Sequence, residues 1–149
     1  MSTHQQLLYH IVFSTKNRQR WLTDGFREEV FAYMAGITTN QGGFAIRVGG
    51  FYDHVHLLVR IPAKLSDSDF VGTLKSNSSK HSNDTSELLR KFGWQDGFGA
   101  FTVSVSQKNR VIKYIENQMA HHAGHSFEDE YLDLLKKHEV EYDPRYVWD

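Results

Sequence analysis

The sequence predicts an α+β fold: a ferredoxin-like antiparallel four-stranded sheet with helices packed on one face and a further helical stretch towards the C-terminal end. Two observations predict it. Apolar β-prone runs and helix-period segments follow one another in the order β-α-β-β-α-β. The chain also has only two prolines, Pro62 and Pro144, with no internal repeat and no long linker, so residues 1–149 read as one domain.

Each element has its own signal. Leu7 to Phe13 is continuous, apolar and β-prone, which suits a buried strand. Lys16 to Arg20 is a basic connection. Thr23 or Asp24 can cap a helix from Gly25 to about Asn40, whose apolar face is Phe26, Val30, Phe31, Met34 and Ile37; Gly42-Gly43 ends it. Phe44 to Gly50 and His54 to Ile61 read as strands that can pair as a hairpin across Phe51-Tyr52-Asp53, the second stopped by Pro62. Ser66 or Asp67 caps a second helix running to about Asn83, whose polar half from Lys75 to His81 is unsuited to a core. Gly97 to Ser104 is the fourth strand. Ser106 caps a third helix from Gln107 to about His122, and Gly124 interrupts it. Ser126 forms a capping box with Asp129 and starts a fourth helix, Phe127 to Lys137. Glu139 to Asp149 reads as an extended, acidic, aromatic tail.

Composition excludes several classes. With no cysteine there are no disulfides, no thiolate nucleophile and no Cys-based zinc site. No apolar run reaches the length of a membrane span, and Met1 to Gln6 is not the start of a signal peptide, so a cytoplasmic protein is expected. The formal net charge is −1. Its distribution is uneven: residues 126–149 carry −5 and residues 1–125 carry +4. A mildly basic body can meet a phosphate backbone locally, although such asymmetry is also ordinary solvated surface.

The chemistry concentrates in two motifs. In Asp53-His54-Val55-His56-Leu57-Leu58-Val59 the histidines are two apart. On a strand they share one face while Val55 and Leu57 point the other way. Two imidazoles on one face make half of a divalent-metal site. A third ligand is needed, and Gln118, His121, His122, Asp53 and His81 are available; spacing does not choose between them. A Gln carbonyl suits Mg2+ or Mn2+, and His121 or His122 would favour zinc.

The second motif lies on the third helix. Val111, Ile112, Ile115 and Met119 form its apolar stripe, and Tyr114 and Gln118, at i and i+4, stack beside it. Such a tyrosine is ordinarily a rim residue with a packed ring and a wet hydroxyl. The same geometry presents a phenol and an amide oxygen to one substrate. A phenol is a weak nucleophile while protonated, and a metal that polarises a phosphate lowers the demand on it. Covalent attack by tyrosine conserves phosphodiester energy, which suits cutting followed by rejoining.

Together these segments resemble the IS200/IS605 family of single-strand DNA transposases, close to the REP-associated tyrosine transposases. The resemblance rests on Tyr9 to Lys16, on Asp53 to Val59, on Phe92 to Ser104, and on Tyr114-Ile115-Glu116-Asn117-Gln118 with His121-His122. It covers essentially the whole chain. The His-hydrophobic-His pair with the Tyr-x-x-x-Gln helix is specific in combination. The resemblance implies His54, His56 and Gln118 as metal ligands, Mg2+ or Mn2+ as the ion, and Tyr114 as a nucleophile that leaves a 5′-phosphotyrosine and a free 3′-OH. It implies a single-stranded DNA hairpin as substrate. It also implies a homodimer in which the tyrosine helix of one subunit can complete the partner's site, with Gly124 as a hinge.

Candidate DNA contacts are Lys75 and Lys80 on the second helix, with Arg18, Arg20, Lys108, Arg110 and Lys113 as further phosphate partners. Trp94, Phe98 and Phe101 can stack bases, though packing is the more ordinary role of each. Competing readings are a replication- or relaxase-type nicking enzyme, which the lack of any helicase or primase segment disfavours, and a non-catalytic hairpin-binding protein. A ferredoxin-like module for a small ligand would leave the shared histidine face without a role.

Overall fold

The computed structural model describes residues 2–85 and 91–148. Its elements are β1 (Leu8–Ser14), α1 (Phe26–Asn40), β2 (Phe44–Phe51), β3 (His54–Arg60), α2 (Asp67–Thr85), β4 (Gly99–Val103), α3 (Lys108–Glu116), α4 (Gln118–His121) and α5 (Phe127–Lys137). The strands form one antiparallel sheet in the order β2-β3-β1-β4, the expected ferredoxin-like arrangement.

Both faces of the sheet are covered, for the same period-two reason on each strand. Ile11 and Phe13 of β1 and Val55, Leu57 and Val59 of β3 meet Val30, Met34 and Ile37 of α1 and Phe70, Val71 and Leu74 of α2. The alternate residues turn the other way. Leu8, Leu58 and Val103 meet Ile115 of α3, and Val12 and Phe101 meet Phe127, Tyr131, Leu134 and Leu135 of α5. The histidine face of β3 therefore lies beneath the C-terminal helices. Gly49 lets α3 lie directly on β2: a Cβ there would stand 2.7 Å from both the Ile115 carbonyl oxygen and its Cγ2.

Four local expectations change. Neither Thr23 nor Asp24 caps α1 through its side chain; Gly25 holds the N-cap at φ +84, Glu28 accepts from its N–H, and Asp24 pairs with Arg27 at 2.9 Å. The polar half of α2 does enter the core, because Ser78 and Ser82 are small enough to bury. Ser78 Oγ gives its proton to the Leu74 carbonyl at 2.6 Å and accepts from Trp94 Nε1 at 2.9 Å, so burial leaves it satisfied. The third helix breaks at Asn117 (φ −93, ψ 13), between Tyr114 and Gln118. The tail is not extended along its whole length: residues 144–148 are turns, and Trp148 packs on Tyr131 at 5.8 Å between ring centroids. Asp149 lies outside the described residues.

Candidate metal and nucleophile site

His54 and His56 leave β3 on one face, opposite Ser14 and Val12 of β1, and both are fully buried. Each has its Nδ1 occupied by a neighbour. Asp53 Oδ1 accepts from His54 Nδ1 at 2.7 Å. His10, a diagonal cross-strand neighbour, places Nε2 2.8 Å from His56 Nδ1. Both Nε2 atoms are thereby aimed into the space under α3, α4 and α5.

The other side of that space is built by residues distant in sequence. Gln118, fully buried, sets Oε1 2.8 Å from His54 Nε2 across 64 positions. Glu130 projects from α5 into the centre. Its Oε1 lies 3.0 Å from His56 Nε2, 3.0 Å from His122 Nε2 and 3.3 Å from His54 Nε2. Its Oε2 accepts from Gln118 Nε2 at 2.9 Å and from the Tyr114 hydroxyl in a short hydrogen bond. The Tyr114 ring stands edge-on to His56 at 5.6 Å. The structure thus brings Tyr114, His54, His56 and Gln118 together, and adds His122 and Glu130.

Charge at the site follows from these contacts. Burial alone would lower the pKa of His54, but hydrogen bonds to Asp53 and Glu130 outweigh it and hold the imidazole up at about 9. Burial opposes charge on Glu130 as well, yet His122, His54 and His56 hold its carboxyl far below the usual range. Burial lowers His56, and lowers His10 to about 3, so His10 is a neutral partner. Burial, followed by the Glu130 charge, raises Tyr114 well above an ordinary phenol.

These residues fit a divalent cation. His54 Nδ1–H donates to a carboxylate and His122 Nδ1–H donates to the His125 carbonyl at 2.7 Å. Each ring then turns its Nε2 towards oxygen acceptors, an arrangement that needs a proton or a cation between the facing atoms. His54, His122 and Glu130 offer ligand atoms that all lie within 4.8 Å of one another. That group shares His54 with the expected set of His54, His56 and Gln118.

Comparison with known proteins gives this geometry its context. The sequence profile of the family described as "Transposase IS200 like" matches residues 3–118. The chain belongs to the IS200-like transposase family. It is 28% identical over 118 residues to the ISDra2 transposase TnpA of Deinococcus radiodurans, covering 76% of this chain and 84% of that protein. It is 34% identical over 122 residues to the transposase for insertion sequence element IS200 of Salmonella typhimurium, covering 74% and 76%. Among solved structures, a transposase from Deinococcus radiodurans matches with TM-score 0.63 and 25% identity over 80% of this chain and 96% of that one. A REP-associated tyrosine transposase bound to a REP hairpin shares the fold, with TM-score 0.61 and 13% identity over 82% and 74%.

Two polar residues of the transposase site were not singled out from sequence. Glu130 sits among the first-turn acids Glu128 and Asp129, which read as a helix terminus facing water. Its signal was spacing: Phe127, Glu130, Tyr131 and Leu134 share one helical stripe, so a carboxylate stood inside an apolar face. His10 was hidden in an apolar strand, where alternation with Leu8 and Val12 puts it on the histidine face.

The seven basic candidates of the transposase are dispersed. Arg110, exposed, lines a cleft of about 590 Å³ beside Tyr114, together with Lys137, His10 and His138. Lys113 is exposed and Lys108 partly so. Lys80 pairs with Asp84 at 2.7 Å on the exposed side of α2. Arg20 lies over the Phe51 and Tyr52 rings, and Arg18 over Trp148 at 5.0 Å. Lys75 is half-buried and gives its protons to the Gln95, Asp96 and Gly97 carbonyls at 2.7, 3.1 and 2.7 Å, above the Phe13 ring. Lys75→Met leaves those carbonyls without a donor and is expected to cost about 1–3 kcal/mol. Thermal melts should then fall by roughly 2–4 °C per kcal/mol; an unchanged Tm with weakened DNA binding would show that Lys75 serves DNA instead. Trp94 and Phe101 are buried core rings, and Phe98 is partly buried under Lys75.

No helix among the described residues is long and apolar enough to cross a membrane.

Proposed function

We propose that this transposase cuts and rejoins single-stranded DNA at hairpin-flanked element ends, with Tyr114 as nucleophile and a divalent metal held at His54, His56 and Gln118. The observation that carries the reading is convergence. A phenol and an amide from α3 and α4 meet an imidazole pair from β3 at one buried point. The named relatives are transposases, and one structural neighbour is bound to a hairpin.

A bound Mg2+ or Mn2+ would draw charge off the scissile phosphate. The remaining work belongs to side chains. His54 is oriented by Asp53 and His56 by His10, so neither ring needs to reorganise. Gln118 supplies a neutral oxygen, and His122 is placed to join the set. Tyr114 Oη attacks phosphorus; the Oη–P bond forms, the P–O3′ bond breaks, the phenol loses its proton and O3′ leaves as a hydroxyl. One phosphodiester is exchanged for another, so the step can be reversed onto a different strand. A homodimer exchanging tyrosine helices belongs to the same reading; within one chain Tyr114 already reaches its own His56.

The test is a labelled hairpin oligonucleotide, taken from DNA flanking the coding sequence, incubated with protein and Mg2+ or Mn2+. An adduct that survives denaturing electrophoresis supports the reading. A mobility shift with no adduct leaves a hairpin-binding protein. The role given to His10 is checked separately: His10→Phe leaves His56 Nδ1 unpartnered and is expected to weaken Mn2+ binding about 10–100-fold by calorimetry. Unchanged affinity would remove His10 from the site.

A further inference from the structure

We propose that Glu130 is a removable stopper, a carboxylate that α5 places where the scissile phosphate must sit, so that α5 has to move before DNA is cut. The proposal rests on the cleavage reading above and adds a closed resting state to it.

The nucleophile and the side chains assigned to the metal are already engaged by this one carboxylate. Glu130 takes the Tyr114 hydroxyl, the Gln118 amide and contacts from His56 and His122. Carboxylate and phosphate oxygens are alike in charge and as acceptors, so one can stand in for the other. The fit leaves no room for both. His54, His56 and Gln118 have no exposed surface, and Glu130 is only 5% exposed. A catalytic metal keeps a position open for substrate, and among the described residues the carboxylate inside the cluster of ligand atoms is that of Glu130.

The stopper is mounted on a part that can leave. Helix α5 is joined to α4 through five residues: His122, which is buried and bonded to the His125 carbonyl, and Ala123, Gly124, His125 and Ser126, which are exposed, with open space around Gly124. Its apolar grip on the sheet is the stripe Phe127, Tyr131, Leu134 and Leu135 against Val12 and Phe101, with Phe127 also on the His54 ring and His138 stacked on Phe101. Outside that stripe Trp148 packs on Phe127 and Tyr131, and Arg18 covers Trp148 and reaches Glu128 at 3.6 Å. That ion pair is long and partly exposed to solvent, and so weak. Arg18 is a candidate phosphate contact, so a DNA strand that takes Arg18 also loosens the helix carrying Glu130.

The experiment measures hydrogen exchange of residues 127–137 in full-length Tyr114→Phe protein with Mn2+, before and after adding the hairpin oligonucleotide with its single-stranded flank. This variant is expected to hold DNA without cutting it. DNA is expected to speed exchange across α5 by about tenfold or more. DNA that binds while α5 exchange stays the same or slows overturns the stopper alone. A second arm compares full-length Glu130→Gln and Glu130→Ala with wild type. The half-saturating DNA concentration for adduct formation is expected to fall about tenfold, because the competent state no longer waits on α5. Loss of Mn2+ binding and of adduct to the degree seen in His54→Ala would instead make Glu130 a permanent ligand, which also overturns the proposal. If no protein, wild type included, shifts or joins the hairpin, the cleavage reading fails and the stopper falls with it.

Discussion

Tyr114→Phe is expected to abolish the covalent DNA adduct, a loss of at least about 10³-fold in strand cleavage. The substitution deletes one oxygen and keeps the ring against His56 and His10. Its structural cost is the hydrogen bond to Glu130, about 1.5–3 kcal/mol for a charged acceptor, so the variant should still fold. Hairpin binding should stay within about twofold of wild type, since the phenol is not a phosphate cation. Polarity of the link is checked in the same gel. A 5′-phosphotyrosine keeps the fragment on the 3′ side of the cut, so a label at the 3′ end travels with the protein and a label at the 5′ end is released. An adduct that persists in Tyr114→Phe removes Tyr114 from the chemistry; an adduct carrying the 5′ label reverses the polarity.

His54→Ala is expected to weaken Mn2+ binding by at least about 10²-fold and to reduce adduct formation by a similar factor. His54 is the residue common to both ligand groupings at the site, next to Gln118 on one side and to His122 and Glu130 on the other. Its loss leaves Asp53 and Glu130 each short of a donor, so some loss of stability accompanies it and Tm must be read beside affinity. Comparing His56→Ala with His122→Ala then separates the groupings. A cation held by His54, His56 and Gln118 is lost in the first and only weakened in the second. Adduct formation at the wild-type rate in His54→Ala would remove the metal mechanism altogether.

The parts of this molecule legible in sequence are those where a local period carries the information. The strands around Ile11, Val48 and Leu57 and the helix around Met34 were readable because one stripe of each faces a core. Serines 78 and 82 misled for the opposite reason. Polar residues signal solvent on average, but a small hydroxyl that returns its proton to its own helix can be buried. The break at Asn117 had no composition signal; Asn117 is followed by Gln118, and the chain leaves helical geometry where Gln118 turns inward to His54.

The sequence by itself determined the order of elements, the sharing of one strand face by His54 and His56, and the family to which the chain belongs. Side-chain direction alternates strictly along a strand, and the paired motifs are specific in combination. Only the tertiary structure decided that Glu130 and His122 share the site with Gln118 and Tyr114, and that His10 backs His56. Those meetings depend on how closely α3 lies over Gly49 and how α5 seats its stripe on Val12 and Phe101, which are distances between elements and leave no period in the chain.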